Sequence, residues 1–410
     1  MSPHKQILFI ATSSNASPAR GGRRRIVDVC RQTAKLGVRS QILCFLPFEQ
    51  VAKGWKYLIN GRKSLAKEAG VPVHYWPMLP FRRMGLIYRI NRWYCSWVTW
   101  LYCSIHNIDL LYGHGMSAGF IGLLTKRTRK TVRVIADFHG AASEEYEYGK
   151  DIKPDDPIKN QITEDEKFVL ESADGLIFVS SKMQEHYHQK YGLEFAHSEV
   201  IPCAINLNYP YDPVLRLKMR DDYGLAEKLV IVYAGSAVDY QLPDKMCELF
   251  NLIREEFSNA YFLVLTHQSE IFRRHLNSHQ ISPKHYGIFS VEHEKVFDLL
   301  RMGDIGLLLR DDSVVNQVAS PTKFAEYLVC GLPVITTKNV GDYSSFVSKF
   351  NLGHVIDLSV LEIDPKLRSF FMDVCERREE YAQRCITFAE QNLAWPIYHK
   401  ELFKVYENPS

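Results

Sequence analysis

The stretch Leu307–Asp342, LLLRDDSVVNQVASPTKFAEYLVCGLPVITTKNVGD, contains the local signals that decide the fold. The apolar run Ile305–Leu309 predicts a buried strand, and the charged residues after it indicate a loop. Ser320–Thr322 predicts a helix start, because Ser is a favoured N-cap and Pro is favoured at the first helical position. Gly331 predicts the end of this helix, and Pro333–Thr337 predicts another buried strand. This order is half of a nucleotide-binding α/β unit.

The start of this helix is a candidate anion site. The first N–H groups of a helix have no partner within it, and the helix dipole also favours negative charge there. Lys323 and Glu326 follow three residues apart, which puts both side chains on one face of the helix.

Composition limits the class of protein. A chain of 410 residues is too long for one hydrophobic core and predicts two domains. A hydrophobic content of 46% and a charged content of 24% are typical of a globular protein. A net charge of +3 gives no global field that would indicate nucleic-acid binding. The nine Cys have no C-x-x-C or His spacing, which favours reduced thiols in a cytosolic protein over disulfides or zinc.

The chain start MSPHKQILFIATSSN resembles a first strand and not a signal peptide, and no apolar run is long enough to predict a transmembrane span. Strands then alternate with helical segments through the N-terminal half. Gly21 and Gly22 follow the first strand in a predicted loop, without the G-x-G-x-x-G dinucleotide pattern. They either let the backbone approach a ligand closely or form a plain junction into the next helix. The predicted strands are Gln6–Ala11, Ser40–Leu46, Val71–Trp76, Asp109–Gly113, Thr131–Asp137, Gly175–Ser180 and Val200–Cys203.

Two His-Gly pairs follow neighbouring strands of this series. His114 comes after the strand Asp109–Gly113, and His139 comes just after the strand Thr131–Asp137. Ligands of open α/β sheets bind at the carboxyl ends of the strands, so both His are candidate site residues. Their alternative interpretation is a structural role in the protein interior.

Residues 82–100 combine basic and aromatic side chains. Arg82, Arg83, Arg89 and Arg92 interleave with Tyr88, Trp93, Tyr94, Trp97 and Trp100. This mixture suits a membrane interface, where cations meet anionic headgroups and rings lie at the boundary. The alternative is an amphipathic core helix with solvated Arg. Nucleic-acid binding uses similar residues, but the charge is local and no binding motif accompanies it.

Residues 205–212 read as a linker, and a second α/β series begins at Leu229. The predicted domains are therefore 1–205 and 206–390, with a C-terminal helix in 391–410 that packs back on the first domain. The strand Leu229–Ala234 ends in Gly235-Ser236. The other strands of the second series, besides the two in the opening stretch, are Tyr261–Thr266, Gly287–Ser290 and Gly353–Asp357.

Several motifs together resemble retaining glycosyltransferases of family 4. The segment SPTKFAEYLVCGLPVITT at 320–337 resembles their nucleotide-sugar motif. ADGLIFVS at 173–180, VIPC at 200–203, DLLYGH at 109–114 and the early Gly pair follow in the family's order over nearly the whole chain. The resemblance implies the GT-B architecture, in which two Rossmann-like domains face each other across a cleft.

The resemblance also implies roles for single residues. Glu326 would bind the ribose hydroxyls, since a carboxylate accepts two hydroxyl donors at once. Lys323 would add positive charge near the diphosphate. His114 would lie beside the donor sugar, with His139 nearby. The backbone groups expected around the phosphates and sugar are those of Gly21, Gly22, Ser320, Pro321 and Thr322.

This sequence departs from the family at three places. The first Glu of the family's Glu-x7-Glu would fall at Val318, so Asn316 or Gln317 is the candidate for the sugar hydroxyls. The loop beginning at Gly235 and Ser236 lacks the family's Arg and Lys, and Arg310 is the candidate replacement; its alternative is an ion pair with Asp311 or Asp312. The Asp311-Asp312 pair is not expected to bind a metal, because adjacent carboxylates point in different directions.

The expected activity is retaining transfer of a sugar from a nucleoside-diphosphate sugar to an acceptor hydroxyl, with no metal or other cofactor. The acceptor would be a saccharide or a lipid-linked saccharide of a cell-surface polysaccharide or glycolipid. The enzyme would be cytoplasmic, with peripheral membrane contact through residues 82–100. The alternatives are a non-catalytic GT-B binding protein and a sugar-nucleotide epimerase on the same fold.

Overall fold

The computed structural model of the chain describes residues 6–12, 21–78, 85–153, 155–207, 211–291 and 293–407. The chain forms two compact units. The first ends at Pro202 and is completed by the segment that begins at Tyr398, and the second runs from Cys203 to Ile397. The unit boundary therefore lies close to the predicted residue 205, whereas the returning segment begins later than the predicted residue 391.

The first unit contains a seven-stranded parallel sheet in the order β3-β2-β1-β4-β5-β6-β7. Within its strand β1, the apolar segment Ile7–Ala11 is fully buried, because helices cover both faces of such a sheet. The strands are β1 (Gln6–Thr12), β2 (Arg39–Leu46), β3 (Val73–Pro77), β4 (Leu110–His114), β5 (Arg133–Phe138), β6 (Gly175–Phe178) and β7 (Ser198–Val200).

The helices of this unit connect successive strands. They are α1 (Gly21–Lys35), α2 (Phe48–Val51), α3 (Trp55–Ala69), α4 (Gly85–His106), α5 (Met116–Thr128), α6 (Ala142–Glu147), α7 (Pro157–Ser172) and α8 (Ser181–Tyr191). Gly21 and Gly22, which were predicted in a loop, instead lie in the first turn of α1. Gly has a low helix propensity but is tolerated in a first turn, where few intrahelical bonds depend on it.

The second unit contains a six-stranded parallel sheet in the order β10-β9-β8-β11-β12-β13. Successive residues of its central strand enter two different core layers, Val230 and Val232 on one face and Ile231 and Tyr233 on the other. The strands are β8 (Leu229–Ala234), β9 (Ala260–Leu265), β10 (Tyr286–Phe289), β11 (Ile305–Leu308), β12 (Val334–Thr337) and β13 (Gly353–Ile356).

The helices of the second unit are α9 (Pro213–Asp222), α10 (Pro243–Glu256), α11 (Ser269–Ser278), α12 (His293–Arg301), α13 (Val314–Gln317), α14 (Thr322–Val329), α15 (Tyr343–Lys349), α16 (Pro365–Glu376) and α17 (Arg378–Asn392). The chain then returns to the first unit with α18 (His399–Tyr406). Tyr406 anchors α18 there, because its hydroxyl lies 2.8 Å from Thr33 Oγ1 and its carbonyl accepts from Arg133 at 2.9 Å. Among the described residues, no helix is both long and apolar enough to cross a bilayer.

The prediction of two α/β units with parallel sheets is confirmed. In each sheet the chain order reverses in the middle, between β1 and β4 in the first unit and between β8 and β11 in the second. Such reversal points leave a crevice at the carboxyl ends of the strands, where doubly wound proteins bind ligands. The first unit therefore brings the end of β4 to its crevice, and the second unit brings the ends of β8 and β11.

One tyrosine holds the second reversal point together. β8 and β11 pair only at Ile305 with Ile231 and at Gly306 with Val232, and the strands diverge beyond these pairs. The hydroxyl of Tyr327, a buried residue of α14, accepts from the N–H of Ala234 at 2.9 Å and donates to the carbonyl of Leu307 at 3.1 Å. α14 is thereby fixed against both strand ends.

We expect Tyr327→Phe to lower the free energy of unfolding of the second unit by about 1–3 kcal/mol, because one buried N–H and one buried C=O lose their partner. Urea unfolding measures this change. Tyr223→Phe is the matched control, since Tyr223 is 47% exposed. Equal stabilities of the Tyr327→Phe variant and the wild type would show that the bridge is energetically unimportant.

Candidate active site

His114 lies at the carboxyl end of β4, at the reversal point of the first sheet. The residue before it must be glycine, because a Cβ on Gly113 would lie 2.4 Å from the backbone nitrogen of Gly119 in α5. The residue after it, Gly115, has φ 88°, which side-chain-bearing residues rarely adopt. These two glycines bring the start of α5 against the strand end and leave His114 fully buried.

Both ring nitrogens of His114 face oxygen atoms. Nε2 lies 2.7 Å from the carbonyl oxygen of Gly22 in α1, and Nδ1 lies 3.5 Å from Oδ2 of Asp137 in β5. Because a carbonyl oxygen can only accept, Nε2 carries the proton of the first contact. The contact between Gly22 and His114 also joins two residues that were predicted from the sequence as site residues.

Asp137 is fully buried and pairs with Arg25 of α1 through three hydrogen bonds of 2.7–3.0 Å. Burial alone would raise the pKa of the Asp137 carboxyl. The charge and hydrogen bonds of Arg25 and the contact with His114 outweigh burial and hold that pKa well below its usual range. Arg25 also donates to the carbonyl of Pro202 at 3.1 Å. The result is an ionised carboxylate with a fixed position behind His114.

His139 follows β5, and its ring lies against that of His114 with a centroid distance of 4.4 Å. Burial, reinforced by the charge of His114, lowers the pKa of His139 to about 3. His139 is therefore neutral at physiological pH. Its Nε2 is buried and has no hydrogen-bond partner among the described residues. The two His predicted from strand ends are thus brought together, and one of them retains an open hydrogen-bonding position.

The start of α14 differs in detail from the prediction. The helix begins at Thr322, and Pro321 occupies the N-cap position without a side-chain cap. Ser320, the predicted N-cap, is buried, and its hydroxyl accepts from the N–H of Cys203 at 2.9 Å and contacts the hydroxyl of Tyr343 at 2.7 Å. Its side chain is held by these tertiary partners, so the first N–H groups of α14 have no side-chain cap.

Lys323 and Arg310 meet on a single amide oxygen. Arg310, buried at the end of β11, donates from Nη1 to Oε1 of Gln241 at 2.6 Å, and Lys323 donates from Nζ to the same atom. Burial, and then the charge of Arg310, lowers the pKa of Lys323 well below its usual value, although Glu326 acts in the opposite direction. Gly235 packs under the Lys323 side chain, since a Cβ there would lie 2.4 Å from Nζ.

The remaining predicted residues lie on the same edge of the second sheet. Glu326 is half-buried on α14, and the carbonyl of Ser236 accepts from the Tyr233 hydroxyl at 2.6 Å. Asn316 is buried and donates to Oδ1 of Asp311 at 2.6 Å, so this amide N–H group stabilises the loop that contains both residues. Val318 is 2% exposed, and its position cannot present a side chain to a ligand.

Solved structures share this fold over nearly the full chain. HepE of Anabaena, in complex with UDP, is 13% identical with a TM-score of 0.72, and covers 97% of this chain and 98% of its own. Sucrose-phosphate synthase of Thermosynechococcus elongatus is 13% identical with a TM-score of 0.69, and the coverage is 98% of both chains. WaaG, a glycosyltransferase involved in lipopolysaccharide biosynthesis, is 15% identical with a TM-score of 0.67, and covers 97% of this chain and 98% of its own.

A family model matches part of the chain. Residues 19–209, just under half of the chain, match the model of Glycosyltransferase Family 4. The chain has the GT-B fold of these solved structures. No curated protein sequence matches it significantly. The resemblance drawn from the motifs is therefore confirmed for the fold and for the family that residues 19–209 match.

Three residues that organise the candidate site were not predicted. Arg25 and Asp137 form the buried pair behind His114, and Gln241 joins the two cations. A signal existed for Asp137, because it directly precedes Phe138-His139 at a strand end. Arg25 is one of three consecutive Arg residues, and Gln241 belongs to a loop without charged motifs, so neither stands out in the sequence.

We expect Asp137→Asn to destabilise the first unit by about 3–5 kcal/mol near neutral pH, because it leaves the buried Arg25 charge unpaired. The pKa of Asp137 is lowered by folding, so its stabilisation is present above the ordinary pKa of about 4 and is lost as the pH falls below it. The free energy of unfolding should then fall more steeply below about pH 4 in the wild type than in the variant. Equal slopes would contradict this, and Glu185→Gln on the exposed face of α8 is the control.

Proposed function

We propose that this protein is a glycosyltransferase that moves a sugar from a nucleoside-diphosphate sugar to an acceptor hydroxyl with retention of the anomeric configuration. The acceptor is a saccharide or a lipid-linked saccharide of a cell-surface polysaccharide or glycolipid. The second unit binds the donor nucleotide, and His114 and His139 are the catalytic residues of the proposal. The involvement of WaaG in lipopolysaccharide biosynthesis supports this choice of product class.

The observation that carries the proposal is the uncompensated positive charge at the start of α14. Lys323 and Arg310 are both held by a neutral amide, and neither forms an ion pair with a carboxylate within the described residues. Two desolvated cations beside the uncapped start of an eight-residue helix favour an anion with several charges. A diphosphate fits this requirement, and UDP and UDP-glucose in the HepE complexes support it.

The chemistry follows from the leaving group. The bond between the sugar C1 and the diphosphate oxygen breaks, and its electron pair leaves with the diphosphate. The acceptor oxygen forms the new bond to C1 on the same face, and its proton passes to the departing phosphate oxygen. Fixed cations and N–H dipoles stabilise the charge that develops on the diphosphate. We propose that Lys323 and Arg310 supply this stabilisation without a metal ion, so that EDTA leaves the rate unchanged.

The imidazole pair has a separate role in this proposal. His114 is fixed by Gly22 and Asp137, so it presents one orientation of its ring to the transferred sugar. His139 is neutral, and its Nε2 offers a hydrogen bond to a sugar hydroxyl. No side chain is assigned as a nucleophile, which agrees with a departing phosphate that itself takes the acceptor proton.

A donor screen tests the proposal. We expect one of the UDP-, GDP-, ADP- and dTDP-sugars to raise the melting temperature, because a ligand that binds the native state stabilises it. Glu326→Ala should weaken binding of that donor by about tenfold to a hundredfold, the loss expected for hydrogen bonds to a charged group. His114→Ala should retain donor binding and lose turnover.

The control is Glu270→Ala, because the Glu270 side chain is 85% exposed on α11. Failure of every donor to shift the melting temperature would overturn the proposal. A product formed from the donor alone, with an altered sugar and no acceptor consumed, would identify an epimerase instead.

Membrane contact is the second part of the proposal. One face of α4 exposes large apolar side chains at helical spacing, and Trp93, Trp97 and Leu86 are 52%, 57% and 72% exposed. The opposite face is buried in the first unit through residues such as Cys95 and Val98. Exposed apolar residues of this helix are Leu86, Ile87, Ile90, Trp93, Trp97, Trp100 and Ile105. A contiguous stripe of this kind marks an interaction surface.

The charges around this stripe favour an anionic bilayer. α4 contains no Asp or Glu, and Arg89 is exposed on it, whereas Arg92 instead pairs with Asp165 at 2.8 Å. Elsewhere in the same unit, α3 carries exposed Trp55 and four exposed basic residues, Lys56, Arg62, Lys63 and Lys67. Trp at the interface and Lys or Arg toward headgroups is the pattern of peripheral membrane proteins. Arg82 and Arg83 of the predicted segment lie outside the described residues.

A cytoplasmic location is proposed on the chemistry of the cysteines. All nine are free, and seven of them are buried. Free thiols suit a reducing compartment, where disulfides rarely persist. Together with the basic surface, this supports peripheral binding at the cytoplasmic face, which carries the anionic lipids.

We expect the protein to sediment with vesicles of phosphatidylcholine and phosphatidylglycerol, and less with phosphatidylcholine alone. Trp93→Ser with Trp97→Ser should weaken this binding at least about tenfold, since each buried aromatic contributes on the order of 1 kcal/mol or more. Salt should weaken it further by screening the basic residues. Val214→Ser with Leu217→Ser removes equally exposed apolar residues from α9 and is the control. Unchanged sedimentation of the Trp variant would contradict the membrane contact.

A further inference from the structure

The loop after β8 provides no cation of its own. Residues 235–242 read GSAVDYQL, although the family resemblance predicted Arg and Lys in this loop. The two cations of the site come from other elements, Arg310 from the end of β11 and Lys323 from α14. The loop instead ends in a short 3-10 turn, Asp239–Gln241, and Gln241 is 6% exposed.

The orientation of the Gln241 amide is set by its neighbours. Arg310 Nη1 lies 2.6 Å from Oε1, and Lys323 Nζ donates to the same oxygen. Arg and Lys have donors and no acceptors, so only the oxygen end of the amide can face them. An amide oxygen has two lone pairs, which matches the two cations that it receives.

The neighbouring tyrosine does not compete strongly for this oxygen. The Tyr233 hydroxyl lies 3.1 Å from Gln241 Oε1 but 2.6 Å from the carbonyl of Ser236, and its single proton serves one of them at a time. The shorter contact is the better hydrogen bond. The same hydroxyl accepts from Lys323 Nζ at 3.3 Å, and Nζ also lies over the Tyr233 ring at 4.6 Å from its centroid. Tyr233 therefore supports the position of Lys323.

The amide holds the cations without neutralising them. Asp311, the carboxylate next to Arg310, accepts from Asn316 at 2.6 Å and from the N–H of Ser313 at 3.0 Å. Burial lowers the pKa of Arg310, and burial together with Arg310 lowers that of Lys323; Asp311 and Glu326 act in the opposite direction without cancelling these effects. A carboxylate at position 241 would compensate the positive charge, whereas the neutral amide leaves this charge available for a ligand.

We propose that Gln241 is a positioning residue for the donor diphosphate, whose neutral oxygen brings Arg310 and Lys323 together in place of cations on its own loop. This inference rests on the proposed donor binding by the second unit. The inference depends on two properties of the Gln241 side chain, its acceptor oxygen and its lack of charge. Two substitutions of nearly the same size test these properties separately. Gln241→Met removes the acceptor at nearly constant length, and Gln241→Glu keeps the acceptor and adds a charge.

The test measures melting temperature and nucleoside-diphosphate affinity in the same variants. We expect Gln241→Glu to raise the melting temperature of the free protein, because a carboxylate compensates both cations, and to weaken binding by about tenfold to a hundredfold. Gln241→Met should weaken binding about tenfold through loss of the shared acceptor. The probes are UDP, GDP, ADP and dTDP, with affinities from calorimetry.

The opposite signs for Gln241→Glu distinguish positioning from a structural role, since a structural residue changes stability and affinity in the same direction. Gln280→Glu adds the same charge at an exposed position and should leave both unchanged. If the wild type binds a probe and both Gln241 variants bind it equally well, the inference is overturned and donor binding stands. If the wild type binds none of the four probes, the proposed function itself fails.

Discussion

The hydroxyl of Tyr327 is the contact on which the second unit's ligand-binding edge depends. The parallel strands β8 and β11 diverge beyond two paired positions, and each leaves a backbone group that needs a buried partner. Tyr327 supplies both partners from one atom. The bridge requires Gly306 beneath the ring, because a Cβ there would lie 2.6–3.0 Å from the ring carbons. A glycine in a strand and a tyrosine in a helix therefore jointly determine where α14 begins.

In the proposed reaction this geometry controls the position of a cation, because Lys323 lies one turn before Tyr327 on the same helix. Fixing the tyrosine fixes the lysine relative to the ends of β8 and β11, where Gly235 and Arg310 are located. Preorganised charge stabilises a leaving group without rearrangement during the reaction. The two units use charge differently. In the first, Arg25 pairs directly with Asp137, whereas in the second Arg310 and Lys323 share a neutral amide oxygen and form no ion pair among the described residues.

Most of the fold could be predicted from local patterns. The apolar runs fell on strands, because each strand of a parallel sheet covered on both faces needs continuous apolar residues. Leu229–Ala234 is such a strand. Gly331 ended its helix as predicted and has φ 73°, a conformation that favours glycine. Element boundaries were less predictable. Ser320 has the right type for an N-cap, but its hydroxyl bonds Cys203 and Tyr343, and such tertiary partners are invisible to a local rule.

The proximity of His114 and His139 was predictable from element boundaries. Both come at ends of adjacent parallel strands, and the structure brings their rings together. The residues that orient them were not found. Arg25 and Asp137 are 112 positions apart in the sequence, and nothing in either segment predicts that they meet. Long-range pairs of this kind depend on the complete fold.

The loop before α14 shows why the sugar part of the site was the hardest to predict. Where the resemblance expects a carboxylate, Val318 is buried, and it terminates the short helix α13. The nearby Asn316 donates its side-chain N–H to Asp311, and its carbonyl accepts from Gly341 at 3.1 Å. Asn316 thus uses these groups to hold the loop in place, and a buried Val cannot bind hydroxyls. In the proposed reaction, the second unit therefore recognises the nucleotide by side chains, and sugar selection must depend on groups other than position 318.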